Sequence, residues 1–211
     1  MTTKLIWITP DAEKLLGYIA RVSNPQNQDN ENVGGLLRYM VKHQHWSPFE
    51  MASAVFEIET TRDIARQILR HRSFSFQEFS QRYADVSLLP AAQLRECRLQ
   101  DTKNRQNSLT TDDQSKHDLW GQLQAKVSDV ALAAYQQALE MGVAKEQARA
   151  VLPEGLTPSR MYMSGTLRSW MHYCQLRTQP ETQKEHRLIA QSISDELALQ
   201  VPAVWSAMEQ S

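Results

Sequence analysis

Residues Arg70–Tyr83 read RHRSFSFQEFSQRY: three arginines, a histidine, a glutamate, three serines and four aromatic rings in fourteen positions. The segment follows a stretch headed by Thr61 in which Ile64, Ile68 and Leu69 recur at helical spacing. Inside it, Phe74 and Phe76 alternate as on a strand with one buried side. A helix therefore runs through a cationic corner into a strand. Arg62 and Arg66 lie just upstream, and Arg66 and Arg70, four apart, share a helix face. So many cations in a short span repel one another unless something anionic neutralises them, and Glu78 offsets only part of that charge. Arginine's planar fork suits phosphate, carboxylate and uracil-like carbonyl edges. The stretch predicts a local anion site, with a nucleotide or dinucleotide phosphate as its ligand. A solvated helix face and a set of core rings are the blander readings of the same residues.

The rest of the chain limits the choice. It has 211 residues with 23 basic and 24 acidic side chains, a formal net charge of -1. A protein that lives on nucleic-acid backbone is usually clearly basic, so a single-stranded nucleic-acid platform of arginines and rings is disfavoured. The two cysteines, Cys97 and Cys174, form no CxxC pair, which points to neither a zinc knuckle nor a disulfide framework. MTTKLIWITPDAEK lacks the apolar core of a signal peptide, and no apolar run reaches bilayer length. The expectation is a cytoplasmic protein in a reducing compartment, with no membrane partner.

Outward from the opening stretch, Leu5–Ile8 reads as a strand and Lys14–Val22 as a helix with Asp11 at its N-cap. A polar loop spans Asn24–Asn32. Leu36, Leu37, Met40 and Val41 mark a further helix, and Val55–Glu59 alternates as a strand. Asp101–Asp118 is polar throughout and is expected to be a mobile loop, part of which could begin the next helix. Leu119, Leu123, Val127, Val130, Ala134, Ala138 and Met141 then step by three or four, and Gly142 supplies a C-cap. Lys145–Val151 is a short helix stopped by Pro153, Ser159–Gly165 a strand, and Leu167–Leu176 and Thr182–Leu199 are helices, with a short piece after Pro202. Strands interspersed with longer helices, without regular βαβ spacing, predict an α+β fold.

The seven glycines form neither GxGxxG nor a Walker A loop, so side-chain arginines must bind any phosphate. His43 and His45 suggest no third metal ligand nearby, and no metal site is expected. Cys174 reads as a small buried residue rather than a nucleophile.

The stretch resembles the signature of the flavin-dependent thymidylate synthases, Arg-His-Arg followed by seven residues and a serine, here Arg70-His71-Arg72 and Ser80. Ser75, Glu78, Arg82 and Tyr83 match the fuller pattern, while Gln77 stands where Asn is usual. KHQHWSPFE (42–50), ARAVLP (148–153) and SGTLRSWMHYCQLR (164–177) resemble three further family segments in order and spacing. The resemblance implies a single α+β domain over residues 1–211, with a mixed or antiparallel sheet flanked by long helices. It implies a homotetramer with active sites at subunit interfaces, FAD as cofactor, dUMP as substrate, and NADPH and methylenetetrahydrofolate as co-substrates. Flavin contacts are implied for Ser47, Arg70, His71, Arg72, Glu78, Thr166, Leu167, Arg168 and His172. Contacts to dUMP are implied for Gln67, Arg70, Glu78, Ser80, Gln81, Arg82, Arg149 and Arg177, with Arg177 catalytic. Many relatives have Asn at the His172 position. Gln77, His45 and Glu181 receive no role. Ser80 is expected to bind the nucleotide phosphate rather than attack C6, because a serine nucleophile needs an adjacent base and Arg82 is a donor only. A catalytically silent oligomer built on the same fold is the competing class.

Overall fold

A computed structural model describes residues 1–208. Its frame is a four-stranded sheet, β1 (Thr2–Ile8), β2 (Ser53–Thr61), β3 (Ser75–Glu78) and β6 (Pro158–Thr166), in the order β1-β2-β6-β3. Every pairing in it is antiparallel. A separate hairpin joins β4 (Arg98–Gln100) to β5 (Ser108–Thr110). The helices are α1 (Ala12–Ala20), α2 (Gly34–Lys42), α3 (Arg62–Ile68), α4 (Gln114–Glu140), α5 (Lys145–Ala148), α6 (Leu167–Arg177), α7 (Lys184–Gln200) and α8 (Pro202–Met208).

The period-2 pattern decides the faces of the sheet. Ala54, Phe56 and Ile58 of β2 pair with Gly165, Met163 and Met161 of β6. Ala54, Phe56, Ile58, Met161 and Met163 are fully buried, in one core with Trp170 and Met171 of α6, Ile189, Ile193 and Leu197 of α7, and Val204 and Trp205 of α8. Each large apolar side chain buried this way contributes about 1.5–3 kcal/mol. The intervening residues, Val55 apart, are polar and face the other way: Tyr162 Oη donates to Glu57 (2.6 Å) and Arg160 Nε to Glu59 (2.9 Å).

Several expectations shift in detail. β1 begins three residues earlier than read. Asp11 does occupy the N-cap position of α1, but with a left-handed backbone (φ 48°) and no side-chain cap; its carbonyl accepts from Leu15 N (3.0 Å) instead. Thr61 likewise heads α3 without capping it, because its Oγ1 donates to Asp63 and accepts from Arg95. The 101–118 region is not one loop. Asp101 accepts from the backbone N–H of Lys103 (2.7 Å) and Asn104 (3.2 Å) and from Asn107 Nδ2 (3.0 Å). That knot closes the turn of the β4–β5 hairpin, and α4 starts at Gln114, capped by Asp113. Polar composition concealed this order because side chain-to-backbone bonds, not apolar packing, hold it.

Gly142 (φ 82°) ends α4 as read, its N–H bonding Leu139 O (2.9 Å). The apolar stripe of α4 does not face the core of the chain. Leu119, Leu123, Val127 and Val130 are 58, 49, 50 and 64% exposed, whereas Gln124, Ala131 and Tyr135 point inward.

Candidate active site

The opening stretch wraps the sheet's edge. After α3 the chain turns through His71, whose N–H bonds Ile68 O (3.0 Å). Phe74 then plugs into the core, and β3 pairs with β6 so that Phe76 sits opposite Met163 and Glu78 opposite Met161. The strand reading of the rings thus holds for Phe76, while Phe74 turns inward from the bend just before β3. Phe74 fits because Gly165 leaves room: a Cβ there would lie 2.4 Å from the ring. The same ring meets Trp170 edge-on at 4.6 Å.

Anchoring those rings leaves the cations outward. Arg70 and Arg72 are exposed and their side chains have no hydrogen-bond or ion-pair partner among the described residues. Arg66 is tied to Glu154 instead. Glu78 is more internal than expected. Its Oε1 accepts from Arg62 (2.8 Å) and from Ser159 (2.6 Å), which leaves Oε2 for a ligand.

Arg177, in the last turn of α6, meets this corner: its Nε donates to His71 Nε2 at 2.8 Å. Burial, and then the neighbouring Arg177 charge, pull His71 down to about 4. The imidazole is therefore neutral near pH 7, with its lone pair on Nε2 and its proton on Nδ1. No carboxylate pairs with Arg177 among the described residues. Its two terminal amino groups donate to no other group among the described residues.

Gln81 and Arg149 line a second recess of about 400 Å³ together with Arg62. Gln81 is buried and its Nε2 has no partner among the described residues, a donor that an anion or carbonyl would satisfy. Arg82 borders it through an ion pair with Glu146 (3.5 Å). Ser80 is exposed nearby. Gln67 points elsewhere, donating to Gln183 (2.7 Å).

The remaining expected residues cluster at the start of α6. Thr166 caps the helix by accepting from Ser169 N (3.2 Å) and donates to Glu50 (2.8 Å). Arg168 Nη1 donates to the other Glu50 oxygen (2.6 Å). These two bonds hold the Glu50 carboxyl below the usual carboxylate range. Leu167 is wholly in the core, so only its backbone is open to a ligand. Its own N–H bonds Ala52 O (2.8 Å). His172 stacks edge-on against Trp46 (5.0 Å) and opens on a cavity of about 870 Å³ with Arg38, Lys42 and Tyr39. Ser47, next to Trp46, is exposed.

Cys174 is buried, and burial pushes its thiol pKa up, as a packing residue requires. Sequence reasoning missed Glu50, Tyr173 and His186, and counted Arg62 only among the cations of the opening stretch. Glu50 sits inside the KHQHWSPFE segment, but its two partners are over a hundred residues away. Tyr173 and His186 offered no local signal.

An antiparallel α+β frame with arginine forks gathered along one sheet edge defines the class: an anion- and nucleotide-binding fold that works without glycine loops. The family described as thymidylate synthase complementing protein matches residues 4–203. A probable flavin-dependent thymidylate synthase of Paramecium bursaria Chlorella virus 1 is 46% identical over 99% of both chains. The flavin-dependent thymidylate synthase of Synechocystis sp. is 48% identical over 93% of this chain and 89% of its own. The crystal structure of the UMP/dUMP methylase PolB from Streptomyces cacaoi, bound with 5-Br dUMP, superposes with a TM-score of 0.86 at 28% identity, covering 99% of this chain and 94% of that one. The chain belongs to the flavin-dependent thymidylate synthase family.

Proposed function

We propose that this enzyme converts dUMP to dTMP, with methylenetetrahydrofolate as one-carbon donor and NADPH-reduced FAD as hydride source. The observation that carries the reading is Arg177, an arginine with no acid partner among the described residues, held through Nε by a neutral histidine within the arginine corner.

The residues fit a flavin dinucleotide. Arg70 and Arg72 offer unpaired cations to its diphosphate. The cavity beside Ser47 and His172 is lined by Arg38, Lys42, Trp46 and Tyr39, with charge and rings suited to a dinucleotide. Thr166, Arg168 and the Leu167 backbone border the same helix start. When bound and reduced, FAD supplies the hydride that turns the transferred methylene into a methyl group.

The chain's own residues do the rest. Uracil C5 is a poor nucleophile in the neutral ring. The Arg177 fork, set against N3 and O2, stabilises negative charge as it develops there and pushes electron density toward C5. Arg149, Arg82, Ser80 and the orphan Gln81 amide would hold the nucleotide phosphate. Glu78, through its free oxygen, would serve between the two ligands. Because His71 is spent on Arg177, its flavin contact would come from Nδ1–H or the ring face.

Assembly into a homotetramer with shared sites is supported by the exposed stripe of α4, since four consecutive apolar positions on one helix face ask for a partner surface. No helix among the described residues is long and apolar enough to cross a membrane. The deciding experiment is dTMP formation from dUMP with methylenetetrahydrofolate, FAD and NADPH. A yellow protein that oxidises NADPH without making dTMP would overturn the reading.

A further inference from the structure

Beneath Arg177 lies a pair of groups that the reaction as described does not use. His186, on α7, is completely buried. Its Nε2 is 3.0 Å from Tyr173 Oη, and its Nδ1 has no hydrogen-bond partner among the described residues. The Tyr173 ring meets His71 nearly perpendicularly (80°) at 4.9 Å, and the His71 and His186 rings are 6.1 Å apart. Trp170 and Phe74 close the other sides of Tyr173, at 5.8 and 5.9 Å.

A fold that needed only packing here would do better with an apolar ring. An unsatisfied buried nitrogen carries a desolvation cost that a phenylalanine avoids. What the polar pair adds is direction. The hydroxyl–imidazole bond fixes the tilt of Tyr173, the tilt of Tyr173 fixes the plane of His71, and that plane aims Nε2 at Arg177 Nε. Burial keeps both imidazoles neutral and the phenol protonated, so nothing in the stack competes for the arginine's charge.

We propose that Tyr173 and His186 are positioning residues that act through His71 to hold the Arg177 fork toward the nucleotide, with both terminal amino groups left for the substrate. Holding a donor against a developing charge matters because a displacement of about 1 Å costs on the order of a hundredfold in rate. The inference rests on Arg177 being the uracil-facing residue, so that residue enters the test.

The experiment is a double-mutant cycle on the FAD-loaded enzyme, with kcat and KM for dUMP, dUMP affinity by calorimetry, flavin content and thermal midpoint measured for each variant. Tyr173→Phe deletes one hydroxyl and should lower kcat about tenfold to a hundredfold, with flavin content kept. In an Arg177→Ala background the same change should cost nothing further, because its effect passes through the arginine. His71→Gln, which keeps an acceptor near the Nε2 position, should retain more kcat than His71→Leu. Equal losses for Tyr173→Phe in both backgrounds, or unchanged kcat in the native background, overturn the proposal. If Arg177→Ala itself leaves turnover intact, the assignment of Arg177 fails and the inference falls with it. Should Tyr173→Phe not fold, His186→Phe is read through the same cycle by the same criteria.

Discussion

Replacing Gly165 by alanine sets two effects of opposite sign against each other. Removing a glycine from β6 stiffens the unfolded chain, a gain of about 0.4–1 kcal/mol where the backbone is compatible. The new methyl, however, would stand 2.4 and 2.5 Å from Cδ1 and Cε1 of Phe74, where carbon atoms rest about 3.5–4.0 Å apart. The ring must therefore retreat by roughly 1 Å, in a packed site where Trp170 already meets it edge-on at 4.6 Å. Overpacking of that kind costs about 1–3 kcal/mol, so the steric term wins and Gly165→Ala should destabilise by roughly 1–2 kcal/mol. The assay is urea unfolding at one fixed protein concentration, since an oligomer's midpoint moves with concentration. The control is Phe74→Leu, which empties the contested space; on that background Gly165→Ala should be neutral or stabilising. Since Phe74 is two residues from Arg72, a displaced ring should also weaken flavin retention. An equal cost of Gly165→Ala with and without the Phe74 ring, meaning a coupling below about 0.5 kcal/mol, would refute the reasoning.

Arg177→Ala should cut dTMP formation by about a hundredfold to a thousandfold while leaving bound FAD largely in place; turnover near the native rate sinks its catalytic assignment. Acid should weaken the fold in two stages. Burial lowers His186 from 6.5 to about 3 and His71 to about 4, so the stability held by these neutral imidazoles is complete above pH 6.5 and drains as the unfolded chain takes up their protons below it. Glu50, lowered by its bonds to Arg168 and Thr166 from a usual value of 4.5, adds a further loss only below about 4.5. Unfolding free energy measured from pH 7.5 to 4 should fall, and His186→Phe should flatten the upper part of the curve; an unchanged slope in that variant contradicts the neutral-imidazole account. Val127→Glu on the exposed face of α4 should yield smaller species by sedimentation with helix content unchanged, and species of unchanged size would show that this stripe is not an assembly surface.

Some of this protein was legible in one dimension. The alternation of Phe56 and Ile58 with Glu57 and Glu59 names the buried face of a strand, because side-chain direction in a strand has period two whatever lies opposite. The cluster of arginines around His71, in a chain without glycine loops, already points to a local anion site, and the structure supplies only part of the counter-charge from within, Glu78 to Arg62, Glu154 to Arg66 and Glu146 to Arg82. Boundaries of α3, α6 and α7 follow from apolar spacing to within a few residues.

What the sequence could not hold were facts that exist only between distant segments. Glu50 finds Arg168 and Thr166 across more than a hundred residues, and Glu78 finds Arg62 and Ser159. Hydrogen bonds also ordered the 101–113 turn that polarity suggested was loose. The direction of the α4 stripe was open too, since a helical repeat tells which residues share a face but not whether that face meets the chain's own core or another surface. Above all, only the folding of α6 and α7 under the sheet's edge brings Arg177, His71, Tyr173 and His186 together. Charge and spacing marked a cationic corner; the long-range packing of those helices set Arg177 against a neutral histidine within it.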